Sequence, residues 1–124
     1  MAIKTFTDLD AWKEGHKLVL MIYNLTRIFP KEETFGLTIQ MKRSAVSITS
    51  NIAEGFSRRS FKEKLYFYAI SQGSVTELQN QLIIAKDVSY IKKDEEYQKL
   101  FAQSILVHKI INGLIKSTKS YFSS

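Results

Sequence analysis

Phe29-Pro30-Lys31-Glu32-Glu33-Thr34-Phe35-Gly36-Leu37-Thr38-Ile39-Gln40-Met41-Lys42-Arg43-Ser44-Ala45-Val46-Ser47-Ile48-Thr49-Ser50-Asn51-Ile52-Ala53-Glu54-Gly55-Phe56 is the stretch that decides the fold. From Phe35 onward Leu37, Met41, Ala45, Ile48, Ile52 and Phe56 recur at steps of three and four, the spacing that gathers one face of an α-helix. Proline disfavours helix in the residue before it, so Phe29-Pro30 separates this helix from an earlier one. Gly55 is read as helping to end it.

Working outward, the first helix is expected over about 9–28, with Thr7 or Asp8 as N-cap and a core stripe of Trp12, Val19, Ile22, Tyr23, Leu25 and Phe29. Leu18 to Tyr23 is apolar all round, whereas one small core covers only one side of a helix. The second face predicts a homo-oligomer. Helix two is expected over 35–56. Ser60-Phe61-Lys62-Glu63 reads as a capping box that opens a third helix over 61–88. Ser89-Tyr90-Ile91-Lys92-Lys93 breaks the pattern. Asp94, followed by Glu95 and Glu96, suits the start of a fourth helix over 94–119, its stripe Tyr97, Leu100, Phe101, Ile105, His108, Ile111 and Ile115. Short connections imply an all-α, antiparallel, up-down-up-down four-helix bundle, one domain over 1–124.

Composition bounds the function. The chain has 124 residues, a formal charge of +6 and no cysteine. Disulfides and thiolate metal sites are thereby excluded, and a reducing cytoplasm is the expected location. Basicity favours an anionic partner, RNA or DNA. The longest apolar run is too short to cross a bilayer and the amino terminus lacks a signal-peptide core, so no membrane partner is expected.

Two polar lines interrupt the helices. Gln40, Arg43, Ser47, Asn51, Glu54 and Arg58 lie on helix two, and Ser74, Glu77 and Gln81 share a stripe with Ile70, Ile84 and Val88 on helix three. One reading joins Arg43, Asn51, Glu54, Ser74, Glu77 and Gln81 into a network between helices or subunits, with Arg43 or Asn51 satisfying a buried Glu77. The other leaves both lines solvated. Gly73, beside Ser74, predicts close approach by another helix, because glycine is otherwise costly inside one.

Catalytic and metal chemistry find no support. A di-metal bundle needs Glu followed three residues later by His, but Glu54 is followed by Ser57 and Glu77 by Asn80. His16 and His108 lie in the outer helices and are expected at helix interfaces. No cofactor and no enzymatic activity are expected. The candidate nucleic-acid-binding residues are Arg58, Arg59, Lys62 and Lys64, four cations around one helix N-terminus, suited to phosphate. The alternative is a solvated turn. Lys109, Lys116 and Lys119 make a second, weaker basic line.

Residues 29–55, with Gly73-Ser74, Glu77-Leu78, Gln81-Leu82 and Tyr90-Ile91, resemble the signature of the four-helix-bundle proteins encoded by intervening sequences of 23S rRNA genes, and the resemblance extends from Phe6 to the late fourth helix. It implies a ring-like homopentamer with no established enzymatic activity. More distant relatives are accessory proteins of diversity-generating retroelements, in which a basic pentamer engages nucleic acid and a reverse transcriptase; such a partner comes to this chain by analogy alone. Thr49 departs from the pattern, where the family commonly has proline, so a family-like bend in helix two is not assured. The expected function is a non-enzymatic, homo-oligomeric protein that binds structured RNA, with a protein-interaction scaffold as the alternative.

Overall fold

The computed structural model describes residues 2–123, and side chains through Tyr121; Met1 and Ser124, the ends of the expected domain, lie outside it. Four α-helices are found among these residues: α1 (Asp10–Thr26), α2 (Leu37–Ser57), α3 (Phe61–Asp87) and α4 (Asp94–Ser123). Short 3₁₀ turns at Phe6–Asp8 and Lys31–Glu33 precede α1 and α2. No strand occurs among the described residues. Each helix packs on two others, α2 and α4 both lying against α1 and α3.

Local chemistry explains the boundaries. Asp8 does not cap α1; its carboxylate accepts from the Thr5 amide and then the Lys4 amide, which holds its pKa below the usual aspartate value, and Leu9 is the N-cap. Helix α2 begins two residues later than expected because Glu33 Oε1 takes the Leu37 amide at 3.0 Å, leaving Phe35 outside the helix and 93% exposed. At its other end Gly55 is still helical, and α2 continues to Ser57. Helix α2 passes Thr49 without interruption, the Thr49 hydroxyl donating to the Val46 carbonyl. Beyond α3, the Ser89 amide donates to the Lys86 carbonyl and the Tyr90 amide to that of Ala85, a Schellman closure with Ser89 in the left-handed region at φ 68°.

The core is Leu18, Ile22 and Leu25 from α1, Met41, Ile48 and Ile52 from α2, Val75, Leu78 and Leu82 from α3, and Leu100, Val107 and Ile111 from α4. Several residues of the expected stripes face outward instead. Tyr23 is 42% exposed, its ring facing the Lys42 ammonium, and Leu18 takes the inward position. On α4 the inward line steps from Leu100 to Ser104, Val107 and Ile111, which turns Ile105 outward at 53% exposure. Buried Ser104 is satisfied, donating to the Phe101 carbonyl and accepting from Gln79 Nε2. On α3 the inward face is Tyr68, Ser71, Val75, Leu78, Leu82 and Ala85, whereas Ile70, Ile84 and Val88 are exposed. This helix is apolar on two faces, so periodicity alone cannot choose between them.

Candidate nucleic-acid interface

The α2–α3 turn is built by Ser60, whose hydroxyl accepts the Glu63 amide at 3.0 Å and donates to Glu63 Oε2 at 3.1 Å. The box closes through the hydroxyl rather than through the Ser60 amide. Arg58, in extended backbone, sets its guanidinium over the Phe67 ring at 4.7 Å and between Glu54 and Glu63, at 3.5 and 4.0 Å. Its Nε is buried without a hydrogen-bond partner among the described residues. Lys64 turns back on α2: its ammonium donates to the Phe56 carbonyl at 2.7 Å and approaches that of Gly55 at 3.4 Å, and burial pushes its pKa down. A cation there satisfies carbonyls left open at a helix C-terminus. Two of the four predicted contact residues thus hold the turn together. Arg59 and Lys62 are exposed, with no polar partner among the described residues.

The turn does not stand alone. Phe61 and Tyr121 stack with ring centroids 6.2 Å apart, which brings the last turns of α4 beside the start of α3. Exposed Lys116 and Lys119 therefore belong to the same end of the bundle as Arg59 and Lys62. In sequence these two groups of cations are more than fifty residues apart. The signal that joins them is length: α3 and α4 are both long and share a short connection, so the start of one returns to the end of the other.

The polar network between α2 and α3 forms in part. Ser44 donates to Gln81 Oε1 at 2.7 Å, Ser47 and Ser74 share a hydrogen bond at 2.8 Å, and Asn51 donates to the Ser47 carbonyl and hydroxyl. Gln81 is 4% exposed, and Ser71 donates to the Ile48 carbonyl in the core beside this line. Glu77, however, is exposed and lies at 3.4 Å from Gln81 Nε2, so it needs no buried counter-ion; among the described residues neither Arg43 nor Asn51 is ion-paired or hydrogen-bonded to it. Arg43 is exposed on a shallow groove with Gln40, Ser44, Ser47 and Glu77, and Glu54 is engaged by Arg58 and Ser57. Gly73 faces open space with nothing within 4 Å, which overturns close approach by another helix of this chain. His16 stacks flat on Trp12 at 4.6 Å and His108 is half-buried on α4. No cluster of three or more His, Cys, Asp or Glu that could hold a metal occurs among the described residues, and no described helix is long and apolar enough to cross a membrane.

In fold the chain is similar to a protein of unknown function from the S23 ribosomal protein family of Bacteroides thetaiotaomicron VPI-5482. The TM-score is 0.78 at 21% identity, over 86% of this chain and 95% of that one. No curated protein matches the sequence. Residues 7–113 match the sequence model of the 23S rRNA-intervening sequence proteins, covering all but the last turns of α4. Since that match takes in α1 to α3, the basic turn and the larger part of α4, the chain belongs to the 23S rRNA-intervening sequence protein family.

Proposed function

We propose that this protein is a non-enzymatic, cytoplasmic homo-oligomer of up-down-up-down bundles that binds structured RNA through its phosphates, at the end where the α2–α3 turn meets the last turns of α4. Antiparallel packing is supported by the pairings: Ser44 with Gln81, Ser47 with Ser74 and Phe56 with Lys64 fall on α3 as they rise on α2. Gln79 with Ser104, Gln72 with Asn112 and Phe61 with Tyr121 do the same for α3 and α4.

The observation that carries RNA binding is the segregation of charge along α4. Its carboxylates, Asp94, Glu95 and Glu96, occupy the first turn, while residues 97–123 hold Lys99, Lys109, Lys116 and Lys119 and no acid. The Phe61–Tyr121 stack brings Arg59 and Lys62 beside the lysine-bearing end of α4, where the two carboxylates of the turn, Glu54 and Glu63, are taken up by Arg58. Exposed cations without counter-ions contact phosphates and position a nucleic acid without reading its sequence. In a ring the cluster repeats, so one weak site becomes a continuous field.

The test is a salt titration of binding to a structured RNA by wild type and by Arg59→Glu/Lys62→Glu. Loss of two phosphate contacts should weaken binding and flatten the logarithmic salt slope by about 2. Equal affinity across the titration would remove the cluster from the site.

Exposed Phe35 and Ile28, at the opposite end, favour a second reading, a scaffold for a partner protein such as a reverse transcriptase by family analogy. Salt-insensitive partner capture that depends on Phe35 distinguishes it.

A further inference from the structure

Two helices each carry a line of exposed residues whose polar contacts, Lys17 with Glu14 and Glu77 with Gln81, stay within their own helix. On α1 and its C-cap, Lys17, Leu20, Asn24 and Arg27 step by three, four and three; on α3, Glu77, Asn80, Ile84 and Asp87 step identically, and all eight are exposed. That is the spacing of a coiled-coil seam. Both lines span about 15 Å, given the helical rise of ~1.5 Å per residue. Within one chain α1 and α3 do not pack together among the described residues, so neither line can be covered by the other internally.

Laid antiparallel, the two lines match at every position. Lys17 meets Asp87, Leu20 meets Ile84, Asn24 meets Asn80 and Arg27 meets Glu77. Opposite charges close both ends, aliphatic lies on aliphatic and amide on amide. A parallel alignment keeps the charge pairs but sets Leu20 against Asn80 and Ile84 against Asn24, which would cover each amide with methyl groups and leave it unsatisfied. Met21 and Tyr23 flank the first line and Ile83 and Val88 the second, all with apolar surface still open. Any other helix of another copy that took up the α3 line would have to offer cations ten residues apart around an aliphatic and an amide.

We propose that α1 of one copy packs antiparallel on α3 of a second copy through this seam, so that the partner of each face is the other face of the same protein. The proposal rests on the homo-oligomeric reading and gives it an interface. Terminal ion pairs add little affinity, but with a buried Asn24–Asn80 pair they set direction and register. The two surfaces differ, so the contact is heterologous: a copy engaged through α1 still offers α3, and assembly continues until it closes into a ring.

The chain contains no cysteine, which makes the seam directly testable. Under mild oxidation Leu20→Cys/Ile84→Cys should cross-link about ten-fold faster than the parallel-register control Leu20→Cys/Asn80→Cys, because a disulfide needs Cα atoms within about 7 Å. The product must join different chains and form a ladder on a non-reducing gel. Equal rates would overturn the seam. A second arm needs no cysteine: Arg27→Glu and Glu77→Arg should each raise the concentration at which the assembly dissociates, and the two together should restore it; failure to restore overturns the register. Light scattering of the wild type separates oligomerisation from the seam. A monomer at micromolar concentration would overturn oligomerisation and the seam together, whereas an oligomer with equal cross-linking rates leaves oligomerisation standing and the seam refuted.

Discussion

Gly55 of α2 runs so close to Tyr68 of α3 that a methyl group on it would lie 2.7 Å from Tyr68 Cε1 and 3.1 Å from Phe67 Cβ. The glycine is there to let two helices touch just before the basic turn, not to end one of them. Tyr68 is buried in that contact, and burial pushes its phenol pKa up. The approach also brings the end of α2 within reach of Lys64.

Replacing Gly55 by alanine therefore opposes helix propensity to overpacking. The propensity gain is roughly 1 kcal/mol, and overpacking against ring atoms that cannot retreat costs roughly 1–3 kcal/mol. Net destabilisation is expected in a urea melt. Gly73→Ala is the contrast: nothing lies within 4 Å, so it should be stabilising by up to about 1 kcal/mol. A Gly73→Ala variant less stable than wild type would show that another copy covers that position.

Glu33 links three segments, with Oε1 on the Leu37 amide at 3.0 Å and Oε2 accepting from the Tyr90 hydroxyl at 2.7 Å. Those bonds, the Leu37 amide first, hold its pKa below the usual glutamate value. Its stabilising effect is present above the unfolded-state value and is lost as pH falls through the lower folded-state value. The difference in melting temperature between wild type and Glu33→Gln should thus be open at pH 7 and narrow below about pH 4. A difference constant down to pH 3 would mean that the carboxylate charge is irrelevant to the link.

Ser44 and Gln81 form a buried side-chain pair across α2 and α3. Gln81→Leu should cost roughly 1–3 kcal/mol by stranding polar groups, and adding Ser44→Ala should recover part of it. Chemical denaturation of the four species of the cycle reads the coupling, and strict additivity would dissolve the pair.

Lys64, Arg59 and Lys62 should separate into two classes. Lys64→Met removes a charged hydrogen bond from the C-terminus of α2 and should lower stability by roughly 1–2 kcal/mol. Arg59→Glu/Lys62→Glu should melt within about 0.5 kcal/mol of wild type, as exposed substitutions do. Equal melting of Lys64→Met and wild type would return Lys64 to the surface.

Ser89 occupies left-handed backbone at φ 68° where glycine is the usual residue. Ser89→Gly should stabilise by roughly 1 kcal/mol, since the Cβ penalty is removed without loss of a contact. Unchanged or reduced stability would show that the serine is held there by something it touches.

The number of helices, the spans of the first three to within two residues, and the family are all legible in the amino-acid sequence. Those features are local: core spacing within one helix, Pro30 after Phe29, the Ser60–Glu63 box, the acids at the start of α4. Where a helix carries apolar residues on two faces, as α3 does, local pattern cannot say which one turns inward. Packing against α2 and α4 decided that, burying Val75 and Leu82 and leaving Ile70 and Ile84 open. Only tertiary structure, likewise, distinguished Lys64 and Arg58, held by Phe56, Phe67 and the neighbouring carboxylates, from Arg59 and Lys62, which remain available. All four are cations within seven residues of chain, and a charge is identical in sequence whether it faces solvent or a carbonyl. The difference arises from distances between groups on different helices, which exist only once those helices have packed.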